Sequence, residues 1–211
     1  MKHTTDSATI HSVFKSLPGS EHIASEFAIG EIIKWARKLR PRRVLEVGSG
    51  IGTLTFALCS QARETPFELI TIEGDDFCQN AMGENLSEQK GDYRHISSIE
   101  ELDDFEPFDL IVIDGGEQEQ RFISQISPRG VVFIEGYMAK KHGLIHEMYS
   151  QKRPYIWSNF RSPDRHKGIW IFRFEPTSAE RVWFAVNNFI NRAHSFAKRR
   201  GVLATLKRKW F

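Results

Sequence analysis

Residues Val44 to Leu58 read VLEVGSGIGTLTFAL. The apolar run that begins at Arg43 stops on three glycines, Gly48, Gly50 and Gly52, and apolar residues resume at Leu54. A short apolar run stopped by glycine reads as a strand, and the stripes in Thr53–Gln61 read as a helix. Strand, bare loop and helix in succession leave unpaired backbone N–H groups at the helix start, where glycines let a ligand come close. In open α/β sheets a ligand sits outside the carboxyl ends of the strands, where strand order reverses.

The spacing G-x-G-x-G narrows the ligand class. A dinucleotide pyrophosphate favours G-x-G-x-x-G, whose last glycine permits close helix packing. Here Thr53 holds that last position and the extra glycine comes one place earlier. The balance moves from NAD towards a nucleoside without phosphates. The second strand, Glu68–Glu73, ends on an acid 25 residues past Gly48. A carboxylate there can accept hydrogen bonds from both ribose hydroxyls.

Outward from this unit, strand and helix signals alternate. A helix is expected over residues 21–39, capped by Ser20 and ended by Pro41, with residues 1–10 frayed before it. After Glu73 come a helix at Cys78–Glu88, a short strand at Tyr93–Ile96 and a strong strand at Phe108–Asp114. A short helix at Gln118–Gln125, a strand at Gly130–Glu135 and a helix at Lys140–Ser150 follow. Two late strands, Tyr155–Phe160 and Gly168–Phe174, are joined by a polar loop too short for a parallel crossover, so they pair antiparallel. The expected fold is α/β: a Rossmann-like, doubly wound sheet of seven strands, helices on both faces, and one antiparallel strand at or near an edge. Thr177-Ser178-Ala179-Glu180 matches a capping box, and Val182, Val186, Phe189/Ile190, Ala193 and Phe196/Ala197 form one stripe of a long helix. The division is residues 1–176, with an N-terminal helical segment, and residues 177–211, a C-terminal helix and basic tail.

Composition agrees with a globular chain. Of 211 residues, 40% are hydrophobic and 27% charged, and 16 Phe with five Trp make the core aromatic-rich. No apolar run approaches the roughly 18 residues of a membrane helix. The N-terminus MKHTTDSATIHSVFKSL has no apolar segment of the secretory kind, so a cytoplasmic protein is expected. Cys59 and Cys78 lack metal-ligand spacing and read as thiols kept in a reducing compartment. Charge is segregated: eight of the 29 Lys/Arg and none of the 27 Asp/Glu lie in residues 181–211. In residues 198–211, Val202, Leu203, Leu206, Trp210 and Phe211 are interleaved with Lys and Arg. Such a basic amphipathic segment suits an anionic membrane surface, here the inner face, or a partner protein. Nucleic acid competes less well, and a solvated tail is the plain alternative.

With these residues in view, the sequence resembles the class I S-adenosylmethionine-dependent methyltransferases. VLEVGSGIGTLTFAL is similar to their first motif and ITIEGDD to their second-strand acid, and the likeness spans roughly residues 25–175. The resemblance implies S-adenosylmethionine as cofactor. Glu46, Gly48, Ser49 and Gly50 then surround its methionine part, Glu73 and Gly74 its ribose, and Ser97 or Ser98 its adenine. Asp114 lies where the cofactor's amino group and the acceptor meet.

FDLIVIDGG followed by SPRGVVFIEG further resembles the small catechol-type O-methyltransferases. In that group an Asp at the fourth strand tip and an Asp-Asn pair after the fifth bind a divalent metal. Asp114 matches the first, whereas Glu135 and Gly136 stand in place of the pair. Two hard oxygen ligands, Asp114 and Glu135, would hold Mg²⁺ only with waters. The expected activity is methyl transfer, most simply to oxygen on a small or lipid-linked acceptor. Candidate catalytic groups are Asp114, Glu135 and His142, with His11, Phe14 and His22 of the N-terminal segment near the acceptor. A nicotinamide-dependent oxidoreductase and a non-catalytic methyltransferase-like protein are the competing readings.

Overall fold

The computed structural model describes residues 6–102, 106–115, 123–136, 148, 150, 153–161 and 168–199. Its strands are β1 (Arg43–Val47), β2 (Glu68–Ile72), β3 (Arg94–Ile96), β4 (Phe108–Ile113), β5 (Ile126–Glu135), β6 (Tyr155–Arg161) and β7 (Gly168–Phe174). They form one seven-stranded sheet in the order β3-β2-β1-β4-β5-β7-β6. The first five pair in parallel, and β7 runs antiparallel to both β5 and β6. The reversed strand therefore sits one place in from the edge, as the short β6–β7 connection requires. β1 and β4 are neighbours although β2 and β3 separate them in sequence, so strand order reverses between them.

Five helices are described: α1 (Ser7–Lys15), α2 (Glu26–Leu39), α3 (Thr53–Glu64), α4 (Asp76–Asn85) and α5 (Ser178–Arg199). One sheet face packs Val44, Leu110, Val112 and Phe133 against residues of all five. The other face packs Leu45, Ile111, Ile113 and Phe172 with Ile123 and Met148. Met148 and Ser150 are helical; the rest of the expected helix at Lys140–Ser150, and Gln118–Phe122 of the one before it, lie outside the described residues.

Two expectations at the N-terminus need correction. Residues 6–10 are not frayed. The Asp6 carboxylate caps α1 by accepting from the Thr9 N–H at 2.9 Å, and Ile10 and Phe14, one turn apart, are both buried in the core. Nor does Ser20 start the second helix. Gly19, with φ +82°, leads into a single 3₁₀ turn at Ser20–His22, and Ser25 caps α2 through its hydroxyl, which accepts from Ala28 N–H at 3.2 Å.

α5 begins at the expected capping box. Glu180 accepts from Thr177 N–H at 2.7 Å, and Thr177 Oγ1 accepts from Glu180 N–H at 3.2 Å. Its orientation is set by packing. Phe184 is buried, and Trp183 and Phe184 pack against Trp35 of α2. Asn188 exchanges side-chain hydrogen bonds with β6, at Ser158 and the Trp157 carbonyl. Those anchors turn the apolar stripe of Val182, Val186, Phe189 and Ile190 away from the sheet, where all four are more than half exposed.

Candidate active site

At the carboxyl ends of β1, β2, β3 and β4, beside the point where strand order reverses, lies a cavity of about 620 Å³. Its floor is the glycine loop. Gly48 has φ +81°, and a Cβ there would lie 2.5 Å from Gly115 N, so the loop after β1 and the end of β4 meet as bare backbone. Gly52 serves packing. Its φ is +97°, and a Cβ would press on Met82 and Leu86 of the α4 region at 3.0 Å. The shifted glycine thus lets α4 approach, and Asn85 braces the loop by donating to the Ile51 carbonyl at 2.9 Å.

The Glu73 carboxylate faces this loop. Oε2 accepts from the Gly50 N–H at 2.7 Å, and Oε1 accepts from the Asp75 N–H at 3.0 Å. Gly48, Ser49, Gly50, Glu73, Gly74, Ser97, Ser98 and Asp114 all line the one cavity, although they come from four separate chain segments. The N–H groups of Ser97 and Ser98 both donate to Glu101 Oε1, at 2.9 and 3.2 Å, which shapes the turn after β3. The hydroxyls of Ser49 and Thr53 are buried at the cavity and have no hydrogen-bond partner. Buried polar atoms are normally paired, so two orphans on residues that line one cavity are consistent with a polar ligand there.

Three residues escaped the sequence reading. Thr53 counted only as a missing glycine, yet it lines the cavity and its buried hydroxyl has no partner. Phe77, half exposed, and Ile99 supply apolar wall. An aromatic four residues past the strand-end acid was the available signal for Phe77.

The structure separates other candidates from the cavity. Glu46 is fully buried on the α3 side of β1 and does not line it. Its Oε2 accepts from the Thr55 hydroxyl at 2.7 Å, and burial pushes its pKa up to about 7. Glu135 also lies off the cavity: its Oε1 accepts from Ser25 N–H at 3.4 Å and Ser25 Oγ at 3.3 Å. The β4–β5 register sets Ile113 beside Ile134, so Asp114 and Glu135 follow on adjacent strand ends. Among the described residues, no group of three or more His, Cys, Asp and Glu is placed to hold a metal. His142 lies outside the described residues. In the N-terminal segment, His22 lines the cavity, whereas Phe14 belongs to the core against Phe56 and His11 is not at the site. Cys78 touches the cavity, but burial pushes its thiol up to about 11, so it is protonated near neutrality.

No protein-family model matches the sequence, and no curated protein is similar to it at a significant level. Solved structures do share the fold. The SAH-bound methyltransferase PaMTH1 of Podospora anserina superposes with a TM-score of 0.64 at 15% identity, over 82% of this chain and 88% of that one. The SAH complex of a Bacillus cereus O-methyltransferase gives 0.63 at 14% identity, over 81% of this chain and 90% of that one. The SAM complex of the O-methyltransferase TomG of Streptomyces achromogenes, involved in tomaymycin synthesis, gives 0.59 at 18%, over 81% and 88%. The chain therefore has the Rossmann-like sheet found in these methyltransferases, and its chemistry rests on its own residues.

Proposed function

We propose that the protein is an S-adenosylmethionine-dependent methyltransferase acting on oxygen of a small-molecule acceptor. The observation that carries this is the pairing of the strand-end acid Glu73 with the Gly50 loop across one cavity that also holds two unpartnered hydroxyls. The residues present fit the cofactor. Glu73 would accept from the ribose hydroxyls, Phe77, Ile99 and the Ser97-Ser98 turn would flank the adenine, and Ser49 and Thr53 would pair the polar methionine end. None of the described cavity residues offers Lys or Arg for a pyrophosphate, and Thr53 occupies the place of the dinucleotide glycine.

The cofactor supplies a methyl group on an activated sulfonium. The chain's task is then chiefly to align the acceptor oxygen in line with that carbon and to exclude water. Transfer to oxygen would exchange the cofactor's S–C bond for a C–O bond, and the chain would have to accept the acceptor's hydroxyl proton. In this reading Asp114 or His22, which both line the cavity, takes it. Glu135 Oε1 accepts from Ser25, the N-cap of α2, and this reading assigns no step to a metal.

Calorimetry with S-adenosylhomocysteine and with NADH tests the assignment. Tight binding of the first is expected. Binding of NADH alone would establish the oxidoreductase reading, and binding of neither would leave a non-catalytic scaffold. Methyl transfer to a panel of phenolic and aliphatic hydroxyl compounds then checks oxygen as the accepting atom.

A further inference from the structure

We propose that α5 is an interfacial helix that lays this protein on an anionic lipid surface. Val182, Val186, Phe189 and Ile190 are 63, 51, 72 and 55% exposed. They are spaced four, three and one residues apart, which puts them on one face of the helix. The opposite face is already committed to the protein through Trp183, Phe184 and Asn188. Four large apolar side chains in a row on an otherwise anchored helix mark an interaction face.

Charge identifies the occupant. From Arg181 to the end the chain has eight Lys/Arg and no acid, a formal charge of +8. Arg192 and Arg199 follow Arg181 by eleven and eighteen residues, about three and five helical turns, so all three positions fall on one edge of the stripe. In the sequence, Ala193 and Phe196 keep the same spacing. A second copy docked through this face would bring two such +8 segments together, which repel. An apolar stripe with a basic edge matches an anionic headgroup layer over hydrocarbon. Among the described residues, no helix is long and apolar enough to cross a membrane, so the helix lies in the plane of the interface. The proposal stands apart from the reaction and does not rest on it.

The full-length protein is tested by co-sedimentation with vesicles of phosphatidylcholine containing phosphatidylglycerol, against pure phosphatidylcholine. Binding to the anionic vesicles is expected, with partitioning reduced at least about tenfold in V186D/F189D and reduced by salt and by R181E. The milder V186S/F189S should show an intermediate loss. Unchanged S-adenosylhomocysteine affinity or melting temperature shows that the variants fold. Vesicle binding equal to wild type in both double variants would overturn the proposal. So would a wild-type dimer converted to monomer by F189D, which would assign the face to a second copy. Binding to a duplex oligonucleotide with no affinity for vesicles would assign the charge to nucleic acid.

Discussion

Glu73 Oε2 accepts the backbone N–H of Gly50 at 2.7 Å, tying the acid at the end of β2 to the glycine loop after β1. The other carboxylate oxygen accepts from Asp75 N–H. Each oxygen keeps a second lone pair for a ribose hydroxyl. In E73A the loop and the ligand lose the same partner. Two hydrogen bonds to a charged acceptor, at about 1.5 kcal/mol each, correspond to a loss of roughly a hundredfold in S-adenosylhomocysteine affinity. E73Q should fall between. Calorimetry reads both, and unchanged affinity in E73A would remove the ribose assignment.

Gly48 and Gly52 should respond differently to alanine. At Gly48 the new Cβ meets the Gly115 backbone at 2.5 Å, which has no way to yield without moving β4. At Gly52 it meets Met82 Cγ and Leu86 Cδ1 at 3.0 Å, side-chain atoms that have more room to shift than backbone. Both positions have positive φ, costing about 1–2 kcal/mol for a residue with a Cβ. G48A is therefore expected to be the more destabilised in urea unfolding and to lose cofactor affinity. Equal losses would place the tight contact elsewhere.

Glu46 makes stability depend on pH. Burial, the main cause, and to a lesser degree nearby Glu73 raise its pKa from 4.5 to about 7, opposed by the Thr55 hydroxyl. A carboxyl whose pKa is raised by folding contributes fully below its unfolded value, and that contribution fades as pH rises from about 4.5 through about 7. Above pH 7 the chain holds an ionised buried carboxylate. E46Q keeps an acceptor for Thr55 and cannot ionise. It should exceed wild type in stability by on the order of 3 kcal/mol at pH 8, with the gap closing towards pH 5. Urea unfolding of both proteins across that range checks the slope, and parallel curves would refute it.

Ser25 couples the start of α2 to the end of β5. Its hydroxyl accepts from Ala28 N–H and donates to Glu135. S25A should cost about 1–2 kcal/mol, the usual worth of a helix cap. If Glu135 serves this junction, methyl transfer should survive EDTA unchanged. Loss of activity on chelation, restored by Mg²⁺, would return Glu135 and Asp114 to a metal.

Much of this was legible in one dimension. β1, β4 and β7 announced themselves as apolar runs ended by glycine or a turn, and the Thr177–Glu180 capping box is a local pattern that acts locally. The glycine loop and Glu73 were legible because strand ends bring such residues together whatever the rest of the chain does. The caps at Asp6 and Ser25 were missed because a lone Asp or Ser is a weak mark until the following residues are seen to bury. α5 lies where the spacing predicts it, and the spacing leaves open which way its stripe faces. Its periodicity defines an apolar stripe, but Trp183 and Phe184 have more surface to bury, and they pack inward against Trp35 of α2.

The sequence by itself determined the parallel sheet, the reversed strand and the glycine loop on which the nucleoside proposal rests, since each follows from periodicity, connection length and glycine spacing over a few neighbouring residues. Only the tertiary structure decided that Glu46 is sealed under α3, that Glu135 is held by Ser25 from 110 residues away, and that the stripe of α5 faces outward. Those outcomes depend on which distant surfaces win the competition for burial and for hydrogen-bond partners, and no local spacing records that result.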